Sequence, residues 1–341
     1  MKLDKIEIKV EQILPESLRK IGKEKYINEL RLHPLLKWFW AAVAPAREEY
    51  QPYKVQEDII NDLLSPRVHY FLDPEKNTPK DPLYGRIKLN ETIIFPNLWS
   101  WAKIAVCRLT EKESMLLKDI SIKQLYDGFL ASEQFFKIHY ETGKDSKVYP
   151  SIGLNFLRPS ASSIVHPHFQ LVITPIPVPI LGMYLEQSKN YFEKNQTNFF
   201  EDYIALEKKN RVRWLGEIGR GNNKVTFIVS YCPIAGRDEI FFIGPKSSFP
   251  LSDACWKNIA EGLFRVFSGY HEIGVCSINL NIISDLYNSE SDYFRIFGTI
   301  WSRPLKNLDV SDRGFAEIGF KMALTYHLPE DVAKSLKKYW C

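Results

Sequence analysis

The chain has 341 residues, of which 45% are apolar, 25% charged and 13% aromatic, with a net charge of +4. That length buries one large core or two ordinary ones, and a charge so close to balance implies no nucleic-acid and no membrane partner. The five cysteines are odd in number and lack a C-x-x-C pair, the amino terminus has no apolar signal core, and Leu171 to Met183 is broken by Pro175, Pro177 and Pro179, so the expectation is a reduced, soluble, cytoplasmic protein without a disulfide framework.

In chain order, Ile6 to Val10 reads as a short strand, and the rest of residues 1–30 as a charged, peripheral helical stretch. Residues 31–47 are aromatic and β-branched enough for a strand ended by Pro45. Glu91 to Asn97 and Lys103 to Leu109 read as strands, and Ile120 to Tyr140 carries Leu125, Phe129, Phe135 and Phe136 at helical spacing. Ile152 to Leu157 and His166 to Thr174 are strands joined by the small polar turn Ser160 to Ser163. Pro175 to Pro179 is a rigid extended exit, and Ser188 to Lys209 a polar helix pair interrupted near Asn195 and Gln196. Lys224 to Cys232, Glu239 to Pro245, Cys276 to Ile283 and Tyr293 to Trp301 are strands, with a helix from Trp256 to Gly269 among them. Pro329, followed by Glu330 and Asp331, starts a last helix. The order strand, strand, long helix, strand, strand of residues 85–174 recurs over 224–303. The expectation is an α+β protein in two halves, 1–185 and 186–341.

The chemistry concentrates in His166-Pro167-His168-Phe169-Gln170. Alternation along a strand places His166, His168 and Gln170 on one face, ~6–7 Å between successive members. A neutral imidazole there can attack phosphorus, provided its second nitrogen is held by a hydrogen bond that fixes the tautomer. Gln170 offers an uncharged donor to a phosphoryl oxygen, and Ser162 or Ser163 further donors at the turn. The plain alternative is the polar face of an ordinary half-buried strand.

Asn155, Ser163, His166, Pro167, His168 and Gln170 together resemble the signature of the galactose-1-phosphate uridylyltransferase family, a branch of the histidine-triad superfamily. The resemblance implies a tandem pair of histidine-triad-like folds, antiparallel sheets with helices packed on one face, in which only the first half is catalytic. Arg295 and Phe297 stand where a second catalytic half would carry histidines. It implies His168 as the nucleophile that carries a nucleoside monophosphate, and Gln170 as the residue holding its phosphoryl group. Arg31 and Arg47 match the arginines of the family's amino-terminal motif, at least one of which would lie near the nucleotide phosphates; the bland reading of each is a surface arginine. Phe95 and Asn97 match the nucleoside-contacting strand, with Leu98 in place of an aspartate. Lys321 replaces a sugar-binding glutamate in a carboxy-terminal element that, in relatives, reaches the partner subunit, so a homodimer is implied and an anionic acceptor favoured. Of the family's four zinc ligands only His166 remains, the third position falling at Glu113, so no metal and no cofactor is expected.

Three functional readings follow. The first is a nucleotidylyltransferase moving a nucleoside monophosphate from a nucleotide sugar to a sugar phosphate or inorganic phosphate through His168. The second is a dinucleoside polyphosphate or nucleotide-sugar phosphorylase or hydrolase using the same histidine, towards which Phe169, Leu98 and Lys321 lean. The third is a non-catalytic nucleotide-binding relative.

Overall fold

The computed structural model describes residues 1–19, 22–50, 57–143, 147–303 and 313–340. Strands β1 (Lys5–Glu11), β2 (Lys25–Leu32) and β3 (Trp40–Val43) come first. The charged helix expected before residue 30 is instead β2. Lys25, Ile27, Glu29 and Arg31 fall on one face of it and Tyr26, Asn28, Leu30 and Leu32 on the other, a period of two that the charges obscure in the sequence. Of the single strand expected over 31–47, Arg31 and Leu32 end β2 and Trp40–Val43 forms β3, with a turn between them. Two short helices, α1 (Glu57–Leu64) and α2 (Pro74–Asn77), precede β4 (Ile87–Leu89), β5 (Thr92–Pro96) and β6 (Lys103–Arg108).

Helix α3 (Ile122–Thr142) begins at a capping box in which Ser121 and Gln124 satisfy each other's backbone N–H. It leads into β7 (Tyr149–Phe156) and β8 (His168–Thr174). The extended exit expected as far as Pro179 stops short: Pro179 sits in the first turn of α4 (Pro179–Asn195), where its fixed φ and missing N–H suit a helix start. The Asn198 side chain accepts from the N–H groups of Phe200 and Glu201 to cap α5 (Phe199–Asn210). Then follow β9 (Trp214–Ile218), β10 (Val225–Val229), β11 (Arg237–Ile243), α6 (Asp253–Glu272), β12 (Ile278–Ile283) and β13 (Phe297–Ser302). The chain finishes with α7 (Phe315–Ile318), β14 (Ala323–Thr325) and α8 (Pro329–Leu336).

The strands make two sheets, one of order β1-β2-β3-β14 and one of ten strands ordered β4-β5-β6-β8-β7-β12-β13-β11-β10-β9. The ten-stranded sheet is antiparallel throughout, and its order reads the same outward from a seam between β7 and β12. Thus β8 corresponds to β13, β6 to β11, and α3 to α6. Alternating side chains divide the sheet. Phe169, Leu171 and Leu154 face α3 on one side, and Phe227, Phe242 and Leu280 face α6 on that same side, forming the large core. Phe129 of α3 stacks on Phe169 of β8 at 5.0 Å and on Trp256 of α6 at 4.8 Å, tying the strand between His168 and Gln170 to both helices. Gly128 permits that approach, since a Cβ would stand 2.4 Å from Leu109 Cδ2. The α+β class and the tandem antiparallel halves are present. The helices, however, are not confined to one face: α4 and α5 cover the opposite face of the second half through Tyr184, Phe199, Phe200, Phe241 and Phe297.

Candidate active site

The face left open by the first half carries the motif. Strand pairing sets Arg108 of β6 opposite His168, and Val106 opposite Gln170. The same row continues from Val106 to Phe95 of β5, and from Gln170 to Gly153 of β7. His168 and Gln170 therefore share a face, as alternation predicts, with Gly153 leaving space beside Gln170. His166 lies just before the strand rather than in it, because β8 begins at His168. The floor is a small apolar cluster of Phe71, Ile93, Phe95, Val106 and Ile164. Phe71 meets His168 edge-on, 5.3 Å between ring centres.

His168 Nδ1 is 2.7 Å from the carbonyl oxygen of His166. A carbonyl can only accept, so Nδ1 carries the proton and Nε2 of the neutral ring keeps its lone pair. Burial pushes the His168 pKa below its ordinary 6.5, against a smaller opposing effect of that hydrogen bond. Burial thus favours the neutral ring, and one backbone contact fixes its lone pair on Nε2. By the same logic His166 donates from Nε2 to Thr110 O at 2.7 Å. Burial brings its pKa down to about 4. Its Nδ1 is buried without a partner.

Asn155 follows His168 in the row through strand β7. Its side-chain oxygen accepts from Asn279 Nδ2 at 2.7 Å, a bond that does not use the Asn155 amide N–H groups. Asn279 belongs to β12, and it also donates to Ser160 O and accepts from Arg303 Nη1. The hydroxyls of the turn are used locally: Ser160 donates to Leu157 O and Ser162 to Ile164 O, both at 2.7 Å. Ser163 is exposed at the turn. Asn97 accepts from Trp99 N–H and so shapes the β5–β6 turn, while Leu98 points to solvent, 67% exposed.

Three expected ligand contacts lie elsewhere. Arg31 is buried in β2, its guanidinium donating to both oxygens of Glu330 and to Glu29. Arg213 joins the same cluster through Glu330 and Glu207. Burial works against charge on Glu330, but the bonds from Arg31 and Arg213 win and hold it down at about 2. Arg31 belongs to this buried network and not to the histidine face. Arg47 lies 5.3 Å over the Tyr326 ring and lines a cavity of about 510 Å³; Lys321 lines a neighbouring one of about 410 Å³. Neither cavity is lined by the histidines.

Sequence reasoning missed Arg108, Phe71 and Asn279. Arg108 donates to Phe71 O and Glu91 O, both at 3.0 Å, and so fixes the loop that carries Phe71 over the histidines. A charged residue closing an otherwise apolar strand was the available signal.

No protein-family model matches the chain. An uncharacterized protein of Archaeoglobus fulgidus is 24% identical over 274 residues, 78% of this chain and 79% of that one. Among solved structures, an ADP-glucose phosphorylase from Arabidopsis thaliana with bound ADP-glucose superposes with a TM-score of 0.69 at 17% identity, covering 91% of this chain and 98% of that one. A uridylyltransferase superposes at 0.64 and 14%, with the same coverage. The chain has the uridylyltransferase fold. Within that uridylyltransferase fold the residues present do not fit a structural zinc. Glu113, at the expected third ligand position, pairs with His69 at 2.6 Å, and among the described residues no three His, Cys, Asp or Glu side chains converge.

Proposed function

We propose that the protein is a nucleotidyl-transferring enzyme that moves a nucleoside monophosphate from a nucleotide sugar, through a covalent bond to His168, to a sugar phosphate or inorganic phosphate. The observation that carries this reading is the pairing of His168 Nδ1 with the His166 carbonyl, which leaves Nε2 as an unprotonated, buried nucleophile beside Gln170. In the first step Nε2 attacks the α-phosphorus, the bond to the bridging oxygen breaks, and sugar 1-phosphate departs with the electron pair. A phosphate leaving group is stable as an anion near neutrality and needs no general acid. The phosphorylated ring then bears positive charge, which the His166 carbonyl stabilises through Nδ1–H. Gln170 and the Asn155 amide donate to the phosphoryl oxygens, and the base has Phe71, Phe95 and Ile164 to pack on. In the second step an acceptor phosphate oxygen attacks phosphorus and the P–N bond breaks, returning neutral His168. Phosphate as acceptor gives a nucleoside diphosphate; a sugar phosphate gives a new nucleotide sugar. The bound ADP-glucose of the Arabidopsis phosphorylase supports a nucleotide sugar as donor.

The test is incubation with ADP-glucose and UDP-glucose labelled at the α-phosphorus. An acid-labile, base-stable label on the native protein, absent from His168→Asn, is expected. No label from any nucleotide sugar or dinucleoside polyphosphate would leave the non-catalytic reading.

A further inference from the structure

β1 is an outer strand of the four-stranded sheet, with β2 on one side and no strand on the other among the described residues. Its sequence, Lys5-Ile6-Glu7-Ile8-Lys9-Val10-Glu11, alternates charged and aliphatic residues and is exposed along nearly its whole length. Lys5, Glu7, Lys9 and Glu11 share one face, and Ile6, Ile8 and Val10 the other. Ile6 and Ile8 remain 54% and 40% exposed.

The hairpin register decides which backbone groups are left over. Leu32 N–H donates to Asp4 O, and Gln12 N–H to Glu24 O. Hydrogen-bonded pairs recur at every second residue of an antiparallel ladder, so Ile6, Ile8 and Val10 turn their N–H and C=O groups towards β2. Lys5, Glu7, Lys9 and Glu11 aim theirs at the open edge.

We propose that this edge is a self-association surface whose partner is β1 of a second copy of the chain, paired antiparallel about a two-fold axis through Ile8. In that register Lys5 faces Glu11, Glu7 faces Lys9, Ile6 faces Val10 and Ile8 faces its own copy. The residues with open backbone groups are the oppositely charged ones, so each of their pairs closes two N–H···O=C bonds while its side chains attract. A slip of one residue breaks the hydrogen-bond pattern. The neighbouring registers that keep the pattern set Glu7 against Glu7 with Lys5 against Lys9, or Lys9 against Lys9 with Glu7 against Glu11, and like charges directly opposite repel. An edge built only to stay apart carries charge that clashes with its own copy. This one is a charge palindrome. Lys5 pairs with Glu29 of β2 at 2.5 Å and also lies 3.2 Å from Glu7, and Lys25 lies 3.4 Å from Glu11; the exposed pairs with Glu7 and Glu11 are weak and leave both carboxylates to pair across the axis. The aliphatic strip of one copy then continues into that of the other, flanked by Leu30 and Tyr26 of β2.

The test is sedimentation and light scattering of the full chain across a concentration series, with Glu7→Lys, Lys9→Glu and the double variant. All alter exposed side chains, and thermal melts verify that folding is intact. The native protein is expected to dimerise. Each single variant puts like charges across both central pairs and raises the dissociation constant by about tenfold or more. The double variant restores the dimer, and the two single variants, mixed, form a heterodimer. A native protein monomeric at about 100 μM, a dimer indifferent to both single variants, or a double variant that stays monomeric overturns the proposal.

Discussion

The two halves of the long sheet share strand order and helix placement, yet one presents a row of polar groups where the other is sealed. His168 opens β8; Phe297 opens the corresponding strand, β13. Among the described residues His168 meets a single ring, Phe71, whereas Phe297 lies 4.5 Å from Tyr184, 4.9 Å from Phe241 and 5.7 Å from Phe200 under α4 and α5. Arg295, placed before Phe297 as His166 is before His168, donates to the carbonyl of Phe294 at 2.7 Å. A sheet face is therefore neither site nor core by architecture. What the connecting segment lays over it decides, and here α4 and α5 convert a potential second site into packing.

The sharpest way to break this contrast is to exchange the residues. His168→Asn should lower nucleotidyl transfer by ~10⁴-fold or more, as loss of a nucleophile does, while Phe297→His should gain no covalent label because helices cover it. Turnover by the first, or label on the second, measured with α-phosphorus-labelled nucleotide sugars, would remove the distinction. Phe297→Ala should then cost about 3–5 kcal/mol in chemical denaturation, the usual penalty of emptying an aromatic core site. Arg31→Met should likewise cost about 3–5 kcal/mol, since Glu330 and Glu29 lose a buried partner, with labelling per folded molecule unchanged; a specific loss of labelling would return Arg31 to the phosphates. Gln170→Ala should slow transfer by ~10²–10³-fold without moving the pH profile. The smallest effect is in the profile itself. Protonation removes the Nε2 lone pair, and burial depresses the His168 pKa, so the acid limb should fall below the ordinary 6.5. A limb above 6.5 in single-turnover labelling would show a solvated histidine.

Much of this was legible because it is local. The short runs over 91–97, 103–109 and 152–157 read as the strands β5, β6 and β7, helical spacing of Leu125, Phe129 and Phe136 marked α3, and H-x-H-x-Q marked the face of β8. Strand β2 was missed because its two-residue period alternates charges with mixed residues rather than with aliphatics. What lay beyond reach was non-local: Arg31 finding Glu330 across 299 residues, Arg108 positioning Phe71, and Asn279 holding Asn155. No spacing in the chain announces such meetings, since each depends on how strands are ordered in space.

The Asn155–Asn279 bond joins residues 124 positions apart, across the seam between β7 and β12. A contact so distant along the chain is made late, after the entropy of closing a long loop has been overcome. During synthesis β8 can pair with β6 and pack on α3 well before β12 exists. Until then β7 keeps a bare edge, a template for wrong partners, and the side-chain oxygen of Asn155 faces water. Completion of the polar row thus belongs to the last stage of folding, and a polypeptide cut short before β12 inherits the histidines together with an aggregation-prone rim.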